Sequence, residues 1–127
     1  TMKQVWIVDD DEEMAKAISL MLKLLACQSR HFLNARSAAQ ELLAGKRPDL
    51  MILDMSMPEV TGMMMLEFVR RRPEWNQMPI IMLSSEAADV KIDEAMRLGA
   101  DAYVTKPVSL DELETATRTV FQKYGKM

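Results

Sequence analysis

Four short apolar runs in this chain each end in polar residues, and helix-like stretches separate them. Asp9 and Asp10 follow Val5-Trp6-Ile7-Val8, and Asp54 follows Leu50-Met51-Ile52-Leu53. Ser84 and Ser85 follow Pro79-Ile80-Ile81-Met82-Leu83, and Lys106 follows Ala102-Tyr103-Val104-Thr105. Short unbroken apolar runs of this kind read as strands covered on both faces. If the strands are parallel, all four polar ends lie on one edge of one sheet, at the strand carboxyl ends. Open α/β sheets bind ligands on that edge.

The rest of the chain fits this frame. Asp11 can cap a helix in which Met14, Ile18, Met21, Leu22 and Leu25 share one face. Ser29–Leu33 is a more polar strand, suited to an edge. Asn34 can start a second helix, with Ala38, Leu42 and Leu43 inward and Gly45 near its end. Leu50–Leu53 is the third strand. Pro58 and Gly62 break the loop that follows it, and Met63–Arg72 reads as a helix stopped by Pro73. Ile80–Leu83 is the fourth strand, Ala88–Leu98 a helix closed by Gly99, and Ala102–Val104 the fifth strand. Leu110, Leu113, Thr117, Val120 and Phe121 give the last helix its inward stripe. Five such β-α units predict a doubly wound α/β fold, a five-stranded parallel sheet with helices on both faces. The second strand ends without a functional candidate. This suggests the order 2-1-3-4-5, with Asp9, Asp10 and Asp54 flanking the switch point between strands one and three.

Composition narrows the function. The 127 residues suit one domain, read here as residues 1–127, and 49% hydrophobic content supports a real core. A net charge of -3 lacks the basic footprint of direct nucleic-acid binding. No apolar run approaches a membrane span, and Thr1-Met2-Lys3-Gln4 lacks a signal-peptide pattern. The only cysteine, Cys27, reads as a small buried residue, so a reducing, cytoplasmic setting is the simpler expectation. The thirteen methionines are read as core filling.

Carboxylates crowded at one sheet edge repel one another, and a divalent cation relieves that repulsion. Mg²⁺ takes hard oxygen ligands and is usually held by one or two carboxylates plus phosphate oxygens. Asp10 and Asp54 are the expected direct ligands, with Asp9 acting through a water and the Ser56 backbone carbonyl completing the protein side. Asp54 is the candidate nucleophile, since an Asp carboxylate can accept a phosphoryl group as an acyl phosphate. Such transfer needs charge neutralisation more than it needs a base. Lys106 can supply a point charge and Ser84 a hydroxyl donor. Pro107 after Lys106 suggests a cis Lys106–Pro107 peptide holding the amine toward the site.

Together these residues resemble the receiver domain of two-component response regulators, the CheY-like family. The resemblance rests on Val8-Asp9-Asp10-Asp11, Leu53-Asp54-Met55-Ser56-Met57-Pro58 with Gly62, Leu83-Ser84-Ser85, and Gly99 through Pro107. It covers essentially the whole chain and implies a flavodoxin-like (βα)5 single domain. It implies that Asp54 accepts a phosphoryl group from a sensor histidine kinase or a histidine phosphotransfer protein. Asp9 and Asp10 would serve the metal, Lys106 would contact the phosphoryl group, Ser84 would be the switch hydroxyl and Tyr103 the aromatic switch residue. The face built from the fourth helix, fifth strand and fifth helix would then signal to an output domain or partner protein. In such receivers Ser56 and Glu86 occupy positions that tune phosphoryl lifetime. Ser85 stands where the family often has Ala. A phosphorylation-dependent homodimer is also expected, but Ala116 stands where receivers that dimerise through a salt-bridged helix-four/helix-five face commonly carry Arg, with Arg118 nearby, which weighs against that particular mode.

Other readings fit less well. An Mg²⁺-dependent phosphohydrolase with an Asp nucleophile typically wants a second carboxylate two residues on, where Ser56 stands. A flavin module wants a Ser, Thr and Gly loop after strand one, and Asp9-Asp10-Asp11-Glu12 would repel its phosphate. A phosphorylation-independent pseudo-receiver is disfavoured because no key position is missing. His31 reads as isolated on the edge strand, far from the polar ends and without a phosphoryl or metal role. Arg70-Arg71-Arg72 reads as a solvated helix end, and Trp6 and Trp75 as packing residues. Met63, Met64 and Phe68 read as partly buried or as a sticky patch for a partner.

Overall fold

A computed structural model describes residues 2–85 and 89–126. Strands β1 (Lys3–Val8), β2 (Cys27–Phe32), β3 (Leu50–Asp54), β4 (Ile80–Ser84) and β5 (Ala102–Thr105) alternate with helices. The helices are α1 (Glu12–Leu24), α2 (Ala35–Leu43), α3 (Gly62–Arg70), α4 (Asp89–Arg97) and α5 (Leu110–Lys123). All strand pairs are parallel, in the order β2-β1-β3-β4-β5. The doubly wound sheet expected from the polar strand ends is therefore the one that forms.

Period-two alternation divides the core into two layers. Trp6, Val8, Met51, Leu53, Ile80 and Met82 join α2 and α3 residues on one face. Val5, Ile7, Leu50, Ile52, Ile81 and Leu83 join α1 and α5 residues on the other. Each fully buried Ile or Leu contributes about 1.5–3 kcal/mol. Short polar residues start the helices. Asp11 accepts from the Met14 amide, Asn34 from Ser37, Thr61 from Met64 and Ser109 from Glu112. Gly99 turns the chain after α4 at φ +110°, where a side chain would be strained and crowd Arg70.

Several boundaries and faces differ from the sequence reading. β2 begins at Cys27, opposite Lys3, and ends at Phe32, leaving Leu33 exposed rather than in the strand. α3 stops at Arg70, before Arg71 and Arg72. Leu43 is 60% exposed and Leu110 is also exposed, because residues at helix ends pass beyond the sheet they were expected to cover. Ala88, the expected start of the fourth helix, lies outside the described residues.

The basic run after α3 is not simply solvated. The Arg70 side chain is 12% exposed and donates to Met78 O, Gly99 O and the Asp101 carboxylate. Asp101, whose carboxylate is 1% exposed, also accepts from the Ile80 amide, Lys123 Nζ and Tyr124 Oη. Burial and this hydrogen bond push the Tyr124 hydroxyl up to about 12, so it remains a donor across the working pH range. The network ties α3 and α5 to the amino ends of β4 and β5.

Candidate functional site

At the opposite edge of the sheet the carboxyl ends of the strands converge. Asp9 leaves β1 fully buried, and Asp10 beside it is exposed. Asp54 closes β3 and is 3% exposed. Acid oxygens of Asp9, Asp10 and Asp54 lie within 4.8 Å of one another. Lys106, just past β5, places Nζ 3.1 Å from Asp9 Oδ2 and 3.4 Å from Asp54 Oδ1. Its backbone amide donates to Ser84 O at 2.8 Å, fastening the Lys106 segment to the end of β4. Ser84 is buried at that strand end. The Lys106–Pro107 peptide is cis.

Three carboxylates face one ammonium, and the imbalance shows in their ionisation. Burial first, and then the Asp9 charge, push the Asp54 carboxyl up to about 6. Lys106 and the Ser56 amide, 3.4 Å from Asp54 Oδ1, pull the other way without restoring the ordinary value. Burial alone would lower the Lys106 amine, but its close contact with Asp9 and the charges of Asp54 and Asp9 raise it. Asp9 Oδ1 accepts from the Asp11 amide at 2.9 Å. Asp9 Oδ2 is buried with no hydrogen bond of good geometry, compensated by the Lys106 ion pair. A cluster of hard oxygens short of positive charge, with one buried oxygen under-satisfied, fits a divalent cation such as Mg²⁺.

The floor of the site requires a glycine. Gly62 opens α3 directly against β3, where a Cβ would overlap the Asp54 carbonyl oxygen and stand 2.9 Å from Met55 Cα. The Gly62 amide donates to Met55 O at 3.2 Å. In the sequence Gly62 reads as a loop breaker and as part of the motif after Asp54. Its position eight residues after the acceptor was the available signal, and its close approach to β3 was not legible.

The remaining candidates are placed as follows. Ser56 is exposed beside Asp54, and Tyr103 is 45% exposed on β5. The Tyr103 ring borders a groove of about 540 Å³ with Met96, Asp111, Glu112 and Ala116. Glu86 lies outside the described residues. Ser85 and Arg118 are exposed, whereas Ala116 is packed against the core. Trp6, Trp75 and Cys27 are buried packing residues, and burial raises the Cys27 thiol. Met63 and Phe68 are partly buried against the core, and Met64 is exposed.

His31 corrects the sequence reading. It sits on the edge strand, yet its Nε2 lies 2.7 Å from the Asp9 carbonyl oxygen. Its place one residue before the end of β2, opposite Ile7, was the signal that its ring could reach the acidic loop.

Comparison with known proteins gives a consistent picture. The family described as "Response regulator receiver domain" matches residues 5–118. The KDP operon transcriptional regulatory protein KdpE of Escherichia coli is 29% identical over 98% of this chain and 53% of its own length. The phosphate regulon transcriptional regulatory protein PhoB of Pseudomonas aeruginosa is 28% identical over 97% of the chain and 53% of its own length. The chain thus spans about half the length of these curated relatives. Among solved structures, the chemotaxis response regulator CheY4 of Vibrio cholerae superposes with a TM-score of 0.84 at 28% identity, covering 94% of this chain and 99% of that one. The signal receiver domain of a signal transduction histidine kinase from Syntrophus aciditrophicus gives 0.82 at 27% identity, covering 94% and 91%.

Proposed function

This chain belongs to the response regulator receiver domain family, and from that membership we propose that it is a phosphoacceptor switch with Asp54 as the acceptor. The observation that carries the proposal is the Asp54 carboxylate, buried at the end of β3 among two other carboxylates with the Lys106 amine 3.4 Å away. An Asp54 oxygen attacks the phosphorus of a phosphohistidine on a sensor kinase or a histidine phosphotransfer protein. The P–O bond forms as the P–N bond to the donor imidazole breaks. Lys106 offers its ammonium to the incoming phosphoryl oxygens, and Ser84 offers a hydroxyl hydrogen bond. Asp10, Asp54 and the Ser56 carbonyl, with Asp9 acting through a water, would hold Mg²⁺, which would supply further neutralisation of the phosphoryl charge.

Ser84 and Tyr103 carry the signal outward in this reading. Drawing Ser84 toward the phosphoryl group makes room for the Tyr103 ring to turn in from the surface, which reshapes the face of α4, β5 and α5. Ser56 and Glu86 tune how fast water reaches the acyl phosphate. Hydrolysis returns the Asp54 carboxylate and free phosphate, so the chain turns over only its own phosphoryl group. Residues 1–127 act as one receiver unit in the cytoplasm, passing the signal to an output domain or partner protein. No described helix is long and apolar enough to cross a membrane.

Intact mass after incubation with acetyl phosphate and Mg²⁺, and separately with a phosphorylated histidine phosphotransfer protein, tests the proposal. The expected result is one added phosphoryl group, lost in Asp54→Ala and without Mg²⁺. Equal uptake by Asp54→Ala, or none by the folded parent from either donor, overturns it.

A further inference from the structure

We infer that His31 is a positioning residue for the acidic loop, fixing the peptide plane from which Asp10 reaches the metal. The inference rests on the reading of Asp9 and Asp10 as metal-holding residues given above. A carbonyl oxygen can only accept a hydrogen bond, so the 2.7 Å contact requires a proton on His31 Nε2. The β1–β2 and β1–β3 ladders both end at Val8, so the Asp9 carbonyl is the first beyond the sheet. One residue of this loop is still tied to β2 by its backbone, through the Asp9 amide to Phe32 O at 3.1 Å. The His31 ring supplies the second tie, from the strand position just before Phe32.

That second tie governs more than Asp9. The Asp9 carbonyl belongs to the peptide unit that joins Asp9 to Asp10, and a peptide unit is planar. Fixing its oxygen fixes the plane, and with it the direction in which Asp10 leaves the sheet. Asp10 is exposed, and among the described residues its carboxylate makes no hydrogen bond or ion pair. The orientation of its backbone is therefore the main constraint on where that carboxylate points. Asp9 is held by its own side chain as well, through the Asp11 amide and Lys106. Loss of the imidazole should consequently fall on Asp10 more than on Asp9.

The test compares His31→Gln and His31→Leu with the parent by calorimetric Mg²⁺ titration, with thermal melts in EDTA as the control for folding. The Gln amide nitrogen can take the place of Nε2, whereas Leu keeps bulk without a donor. The expected result is Mg²⁺ binding roughly tenfold weaker in His31→Leu, in line with the loss of an outer-shell partner, and restored to within about twofold in His31→Gln by the same logic. Parental affinity in His31→Leu overturns the inference. So does a His31→Gln that folds and binds as weakly as His31→Leu. A parent that binds no Mg²⁺ overturns the underlying reading of the site, and that outcome is visible before either variant is made.

Discussion

The two ends of this sheet carry similar groups to opposite effect. At the amino end, one buried carboxylate, Asp101, accepts from a guanidinium, an ammonium, a hydroxyl and a backbone amide. At the carboxyl end, three carboxylates cluster, and among the described residues the Lys106 ammonium alone pairs with any of them, reaching Asp9 and Asp54. The first arrangement is saturated and holds helices to strands. The second is short of positive charge, and its deficit is what a cation and a phosphoryl group can fill. Buried charge stabilises where its partners are complete, and where they are incomplete it creates a demand for a ligand.

Removing one carboxylate from each end should therefore change stability in opposite directions. Asp101→Ala leaves the Arg70 guanidinium buried without its counter-ion and should cost about 3–5 kcal/mol, read by urea unfolding. A loss under about 1 kcal/mol would mean that the amino-end network behaves as a surface ion pair. Asp54→Asn should instead stabilise the metal-free protein by about 1–3 kcal/mol at pH 7, while ending phosphoryl uptake.

The pH dependence sharpens this contrast. The Asp54 carboxyl titrates near 6 when folded, against 3.8 ordinarily. Across that window the folded protein keeps a proton that the unfolded chain has released. The Asp54 contribution to stability thus falls as pH rises from roughly 4 to 6 and is level above it. The difference between parent and Asp54→Asn melts, measured in EDTA across that range, should trace this curve. Saturating Mg²⁺ should reduce the gap at pH 7, because only the parent retains the full ligand set. A difference that does not vary with pH would show that neither burial nor the Asp9 charge raises the Asp54 carboxyl.

Smaller effects test how each end is built. Gly62→Ala forces a Cβ into the Asp54 carbonyl and should cost about 1–3 kcal/mol through overpacking, together with slower phosphoryl uptake. Unchanged uptake would separate the floor of the site from its chemistry. Tyr124→Phe removes one of several donors to Asp101 and should cost about 1 kcal/mol without altering Mg²⁺ binding.

Most of the carboxyl end was legible because strand ends are marked locally. An apolar run stops, a polar residue follows, and parallel pairing brings those residues to one edge. Asp9, Asp10, Asp54, Ser84 and Lys106 all follow that rule. The helix starts at Asp11 and Asn34 were legible for the same reason, since a cap bonds within its own first turn. The amino-end network was not. Arg70 and Asp101 are 31 residues apart, and nothing near Arg70 distinguishes it from the exposed Arg71 beside it. His31 was misread because sequence places it on an edge strand without showing that its ring turns along that strand toward Asp9. Leu43 and Leu110 follow the helical period correctly, but the period does not say where the sheet beneath a helix ends.

The two core layers also differ in material. Six buried methionines, Met51, Met55, Met57, Met65, Met78 and Met82, belong to the layer under α2 and α3. The layer under α1 and α5 is filled mainly by Val, Ile and Leu, with methionines only at its partly buried margin. Unbranched thioether chains repack more readily than β-branched ones. Methyl-labelled methionine would therefore act as a one-sided set of spectroscopic probes. Met55 and Met57 bracket Ser56 and line a groove of about 430 Å³ shared with Lys91 and Glu94 of α4. Their resonances should register events at Asp54, while the more remote Met78 supplies a reference within the same spectrum.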